Sequence, residues 1–155
     1  MEDMKKRTIS VNLTNEECNA LLHKCGASGL TVGELIENFI NDLVDGSRTN
    51  GSAERMQANQ WFDRCWFGMF PETTLLRHLL EYGYEPEEYL NALEEKEYLE
   101  QGEAPCREDI ADLEDELKDM RSDWKPEPEQ EPNMDEEIEL IRKWVMEKED
   151  LINAE

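Results

Sequence analysis

Positive charge is scarce in this sequence. Lys and Arg number 16 against 39 Asp and Glu, which leaves a formal net charge of -23 over 155 residues. A protein that coats nucleic acid with its whole surface is thereby excluded, because phosphate contact requires a surplus of Lys and Arg to displace counterions. Long apolar runs are missing too. None approaches the roughly 20 residues that span a bilayer, and no charged-then-apolar leader is read at the start. The expectation is a protein without membrane contact, in the cytoplasm of a bacterial host. Cysteine is sparse: Cys18, Cys25, Cys65 and Cys106 show no CxxC spacing, which predicts reduced thiols rather than a disulfide frame. There are two histidines. On a helix Cys18 and Cys25 share a face while His23 points about 140° away, so no metal site is expected. His78 borders an apolar stripe and reads as a boundary residue rather than a general base. P-loop, GxGxxG, HExxH and GxSxG patterns do not occur, and the chain is expected to be no enzyme and to carry no cofactor.

What is present is unevenly spread. Net charge is -3 over residues 1–50, -7 over 51–100 and -13 over 101–155. The first third is nearly neutral and the last is a polyanion. In residues 7–13 Ile9, Val11 and Leu13 alternate with Thr8, Ser10 and Asn12, the period of a half-buried strand. Thr14 and Glu17 form a capping box, followed by Cys18, Leu21, Leu22 and Cys25 at helical spacing. After Gly26 and Gly29 a second box, Thr31 with Glu34, starts a helix carrying Leu35, Ile36, Phe39, Ile40 and Leu43, ended by Gly46. Residues 46–52 read as a polar linker. Further helices are expected over 53–69 with Ser52 as cap, from Pro71 to Gly83, from Pro86 to about Gly102, over 107–123 and over 135–152. The prolines of 125–133 predict an extended spacer. No second strand is legible. A lone strand leaves its donors and acceptors without partners, so the same strand of another copy is the expected neighbour, in a homodimer through residues 7–13.

The order strand, capped helix, glycine turn, capped helix over residues 5–46 resembles the ribbon-helix-helix proteins of the Arc and MetJ type. That resemblance implies an antiparallel ribbon able to enter the major groove. It assigns DNA contact to Lys6, Thr8, Ser10 and Asn12, with Lys5 and Arg7 as further backbone anchors and Thr31 at the start of the second helix near a phosphate. The three outward strand positions hold no Arg or Lys. The fold class expected is mainly α: a ribbon-helix-helix-like dimerisation unit over 1–46, an acidic helical domain over 53–124, the spacer 125–133 and a C-terminal helix over 134–155.

Two further patterns carry functional expectations. Trp61, Phe62, Trp66, Phe67, Met69 and Phe70 lie in one dense apolar stretch, wider than the ~100° stripe of a surface helix. It reads as a core helix covered by residues 71–100, or as a set of partner anchors led by Trp61, Trp66 and Phe67. Over 107–124, Ile110, Leu113, Leu117, Met120 and Trp124 make a heptad-like seam, with Glu108, Asp112, Asp115, Asp119 and Asp123 on the opposite face. The chain's net charge of -23 exceeds the magnitude of about 2–8 that solubility of a small domain requires. Either the face is merely solvated or it meets a basic partner. The chain is similar, in class, to the small acidic anti-CRISPR and anti-restriction proteins of mobile elements. The expected function is inhibition of a basic nucleic-acid-binding protein, such as a CRISPR nuclease, by DNA mimicry. The alternative is a ribbon-helix-helix DNA-binding regulator or autorepressor.

Overall fold

A computed structural model describes residues 4–47, 52–70, 73–103, 106–126 and 131–153. Eight helices occur among them: α1 (Asn15–Ala27), α2 (Val32–Val44), α3 (Ser52–Arg64), α4 (Trp66–Met69), α5 (Leu75–Glu81), α6 (Pro86–Glu100), α7 (Arg107–Arg121) and α8 (Met134–Ile152). The protein is mainly helical, and no described helix is long and apolar enough to cross a membrane. The expected cap side chain of Ser52, the helix start at Pro71 and residues 127–130 of the spacer lie outside the described residues, whereas the helix expected over 107–123 starts at Arg107. Residues 131–133 are non-helical, up to the cap of α8 at Asn133.

The chain divides into two units, residues 9–71 and residues 1–8 with 72–155. This differs from the division read in the sequence, which cuts at the polar linker 46–52. Gly46 is the reason. Its φ of +78° lets the backbone turn after α2, and a Cβ there would stand 3.2 Å from Arg55. Asn59 then donates to Leu43 O at 3.1 Å. α3 is thereby folded onto α2 instead of joining the acidic helices.

In the unit 9–71 the two capping boxes form as expected. Thr14 and Glu17 exchange hydrogen bonds at 3.0 and 3.1 Å, and Thr31 and Glu34 do so at 3.1 Å each. Bonding to the backbone N–H and hydroxyl of Thr14 also holds the Glu17 carboxyl below its usual pKa. The N-terminal strand is corrected: residues 7–13 are neither helix nor strand, and no strand occurs among the described residues. A strand exists only through a hydrogen-bonded neighbour, and none of the described residues pairs with residues 7–13 in a ladder. Ile9, Val11 and Leu13 are exposed. The stretch 61–70 is not a buried core helix either. It breaks at Cys65, and Trp61, Phe62, Trp66, Phe67 and Phe70 are all exposed.

The other unit has a proper core. Leu75 and Leu79 of α5, Tyr89, Leu90 and Ala92 of α6, Leu117 and Met120 of α7 and Ile141 of α8 form one buried cluster. Leu76, Leu93, Leu113, Trp124, Met134, Ile138 and Val145 pack around it. The seam read along 110–124 is thus the inward side of α7. Side chains tie the helix ends together. Glu137 accepts from Leu75 N at 2.9 Å and so caps α5. Trp124 Nε1 donates to Thr73 O at 2.9 Å, and buried His78 meets Met120 O through Nε2 at 2.8 Å. Lys148 pairs with Glu87 at 3.1 Å. α8 therefore packs back on the body rather than trailing from a spacer.

Candidate interaction surfaces

α7 lies with Leu117 and Met120 in the core, so its opposite face is held rigidly toward solvent. Glu108, Asp112, Asp115 and Asp119 fall within about 60° of arc on that face, spread over roughly 16 Å at a rise of 1.5 Å per residue. All four are exposed, and none makes an ion pair among the described residues. Asp123, expected as the fifth member, is exposed in the turn after the helix. It lines a shallow depression with Thr74, Arg77, Tyr82 and Lys125, so the row has four aligned carboxylates and one offset. Beside it, Lys96 is lodged between Glu114 at 3.3 Å and Glu100 at 3.5 Å. Partial burial opposes its charge, but the bond to Glu114 and the field of Glu100 outweigh that, and the ammonium pKa is raised. The flank of the row is partly neutralised while its crest is not.

The residues assigned to DNA contact are placed differently. Lys6, Thr8, Ser10 and Asn12 are exposed. Arg7 is occupied: its Nη1 donates to Leu151 O at 2.6 Å and to Ile152 O at 3.2 Å. It caps the C-terminal carbonyls of α8, the favourable place for a cation at a helix end. Thr31 spends its hydroxyl on Glu34 N, and its own N–H on Glu34 Oε1. The Glu34 carboxylate thus occupies the start of α2, where a phosphate was expected to bind.

The third surface is aromatic. Phe39 of α2 meets Trp61 edge to face with ring centroids 5.6 Å apart. Trp61 meets Phe67 at 6.2 Å, Phe62 meets Phe67 at 4.9 Å and Trp66 meets Phe67 at 5.8 Å. The structure brings the three expected anchors Trp61, Trp66 and Phe67 together and adds Phe39 and Phe62. Sequence reading kept Phe39 in a separate helical stripe. The available signal was the 61–70 stretch, wider than one packed face demands.

The cysteines are free, with Cys25 buried, Cys18 and Cys65 half-buried and Cys106 exposed, and His23 is exposed. Compared with protein-family models, with curated proteins and with solved structures, the chain matches none.

Proposed function

We propose that this protein is an acidic interaction protein that occupies the basic nucleic-acid-binding surface of a target protein, with a CRISPR effector nuclease as the leading type of target. One observation carries the reading: a row of exposed carboxylates without ion pairs, on a helix fixed by its own buried side. Duplex DNA presents one phosphate per ~3.4 Å of axis on each strand. The α7 row is sparser but comparable, and it is rigid, which spares the ordering cost that a disordered acidic tail incurs on binding. Electrostatic attraction steers such a surface to a Lys/Arg channel. The protein acts in a bacterial cytoplasm and as a homodimer in which residues 7–13 of two copies pair.

The second reading is a ribbon-helix-helix regulator that binds DNA through residues 6–12. The two capped helices that follow residues 7–13 favour it. The occupied Arg7 and the Glu34 carboxylate at the start of α2 weigh against it, so we place it second.

The decisive experiment uses the full protein with the three substitutions Asp112→Lys, Asp115→Lys and Asp119→Lys. Inhibition of a purified CRISPR nuclease, and its dependence on salt, are compared with the parent. The expected result is at least a tenfold (about 1.4 kcal/mol) loss of affinity with a shallower salt slope. An unchanged salt slope means that the face is only solvated. Tight binding of random duplex DNA by the parent protein, with no nuclease inhibition, promotes the second reading to first place.

A further inference from the structure

The aromatic cluster is too exposed for a finished surface. Phe39, Trp61, Phe62, Trp66 and Phe67 are linked ring to ring, yet their exposures run from 39 to 71 %. At about 200 Å² for a whole aromatic side chain, this leaves on the order of 500 Å² of ring surface in water. Ile36, Ile40 and Met69 are exposed as well. Patches of this size on a monomer commonly mark an interaction site. The total approaches the roughly 800 Å² that each partner contributes to a standard interface.

The same unit lacks a core. Among the described apolar residues of 9–71, only Cys25 and Ala58 are buried. A unit of about 60 residues is marginal even with ordinary burial. Whatever covers the rings must therefore be present whenever the chain is folded, and a second copy is the occupant that meets this condition at the protein's own concentration. Charge agrees. Residues 9–71 hold eight acidic and four basic side chains, net -4, and the rest of the chain holds -19. A cationic target is drawn to the strongly acidic unit, whereas two nearly neutral faces meet with little repulsion. A two-fold interface must be self-complementary. Asp63 and Arg64 stand beside the rings, exposed and of opposite sign, and neither makes an ion pair among the described residues.

We infer that the α2–α3–α4 aromatic face closes against the same face of a second copy, Trp66 being the most exposed of the five linked rings and Asp63 and Arg64 pairing across the axis. This does not depend on the nuclease-inhibitor reading; it uses other residues than pairing through 7–13, and the two contacts belong to one dimer only where they share its two-fold axis. Sedimentation equilibrium of the full chain at micromolar concentration tests it, with far-UV circular dichroism as the folding control. The parent sediments at twice 18.2 kDa. Trp66→Glu raises the dimer dissociation constant at least tenfold, as expected for removal of an interface anchor. Arg64→Asp also weakens the dimer, and the double variant Asp63→Arg/Arg64→Asp restores it. That charge swap decides the matter if Trp66→Glu loses helicity. A monomeric parent overturns the proposal. So does a folded Trp66→Glu that dimerises normally while Val11→Asp does not, which leaves pairing through 7–13 as the sole contact. Failure to restore the dimer in the double variant overturns the assigned pairing.

Discussion

Tyr89 shows how a single side chain reads the core of the acidic unit. It is fully buried, and its hydroxyl accepts a hydrogen bond from Arg121 Nη1 at 3.3 Å. Burial penalises the phenolate more than the charges of Arg121 and Lys96 favour it, so its pKa is raised above 10.0. The folded chain therefore holds this proton to higher pH than the unfolded chain does. The stabilisation is complete below a pH of about 10 and is lost as pH climbs through the native value. Tyr89 is expected to ionise late in a spectrophotometric titration, together with the loss of helicity. Tyr89→Phe should remove that late step. A Tyr89→Phe variant that stays folded and titrates with the same late step as the parent would contradict this burial. The helix from Pro86 that carries Tyr89 was legible in the sequence, but the Arg121 contact did not show. Partners 32 residues apart leave no local pattern, and the same holds for Arg7 on the end of α8, whose partners lie 144 and 145 residues away.

The corner between α3 and α4 depends on one glycine. A Cβ on Gly68 would collide with the carbonyl oxygen of Phe62 and stand 3.1 Å from the Asp63 Cα. Both are backbone atoms, which cannot swing aside as a side chain does. Gly68→Ala is expected to push α4 away from α3, separate Phe67 from Phe62, and lower stability by on the order of 2 kcal/mol. Urea unfolding followed by tryptophan emission measures both effects. An unchanged midpoint with unchanged emission means that α4 is not seated as described. Helix order was legible because its signals are local: the two capping boxes, Pro86, and the turns at Gly46 and Gly83. The break at Cys65 was not legible, because the apolar run 61–70 contains no proline and its single glycine sits after the break. The strand period of 7–13 was legible as a period only. Alternation says which residues share a side, while pairing needs a second strand that one sequence does not contain.

Charge organises the molecule more simply than its helices do. The acidic gradient seen in the sequence becomes two units of net -4 and -19, although their boundary lies near residue 71 instead of in the linker at 46–52. Composition reports where charge is, but not which helix folds on which. The strongly acidic unit has five ion pairs among its described residues, all with partly exposed partners; such pairs contribute little each. Self-repulsion among the remaining carboxylates therefore works against its core. Salt shortens the Debye length from about 14 Å near 0.05 M to about 4 Å near 0.5 M, so it should relieve that repulsion. The expected result is that amide exchange within α5–α8 slows as NaCl rises over this range, with a smaller change in α1–α4, whose shortfall is apolar rather than electrostatic. Hydrogen exchange followed by mass spectrometry on the full chain resolves the two sets of helices in one experiment. Equal slowing in both sets would mean that salt acts through general apolar association. No slowing in α5–α8 would mean that the carboxylates are too far apart, or too well hydrated, to oppose folding. In that case the excess charge carries no stability cost, and the inference from costly charge to a cationic partner loses its physical basis.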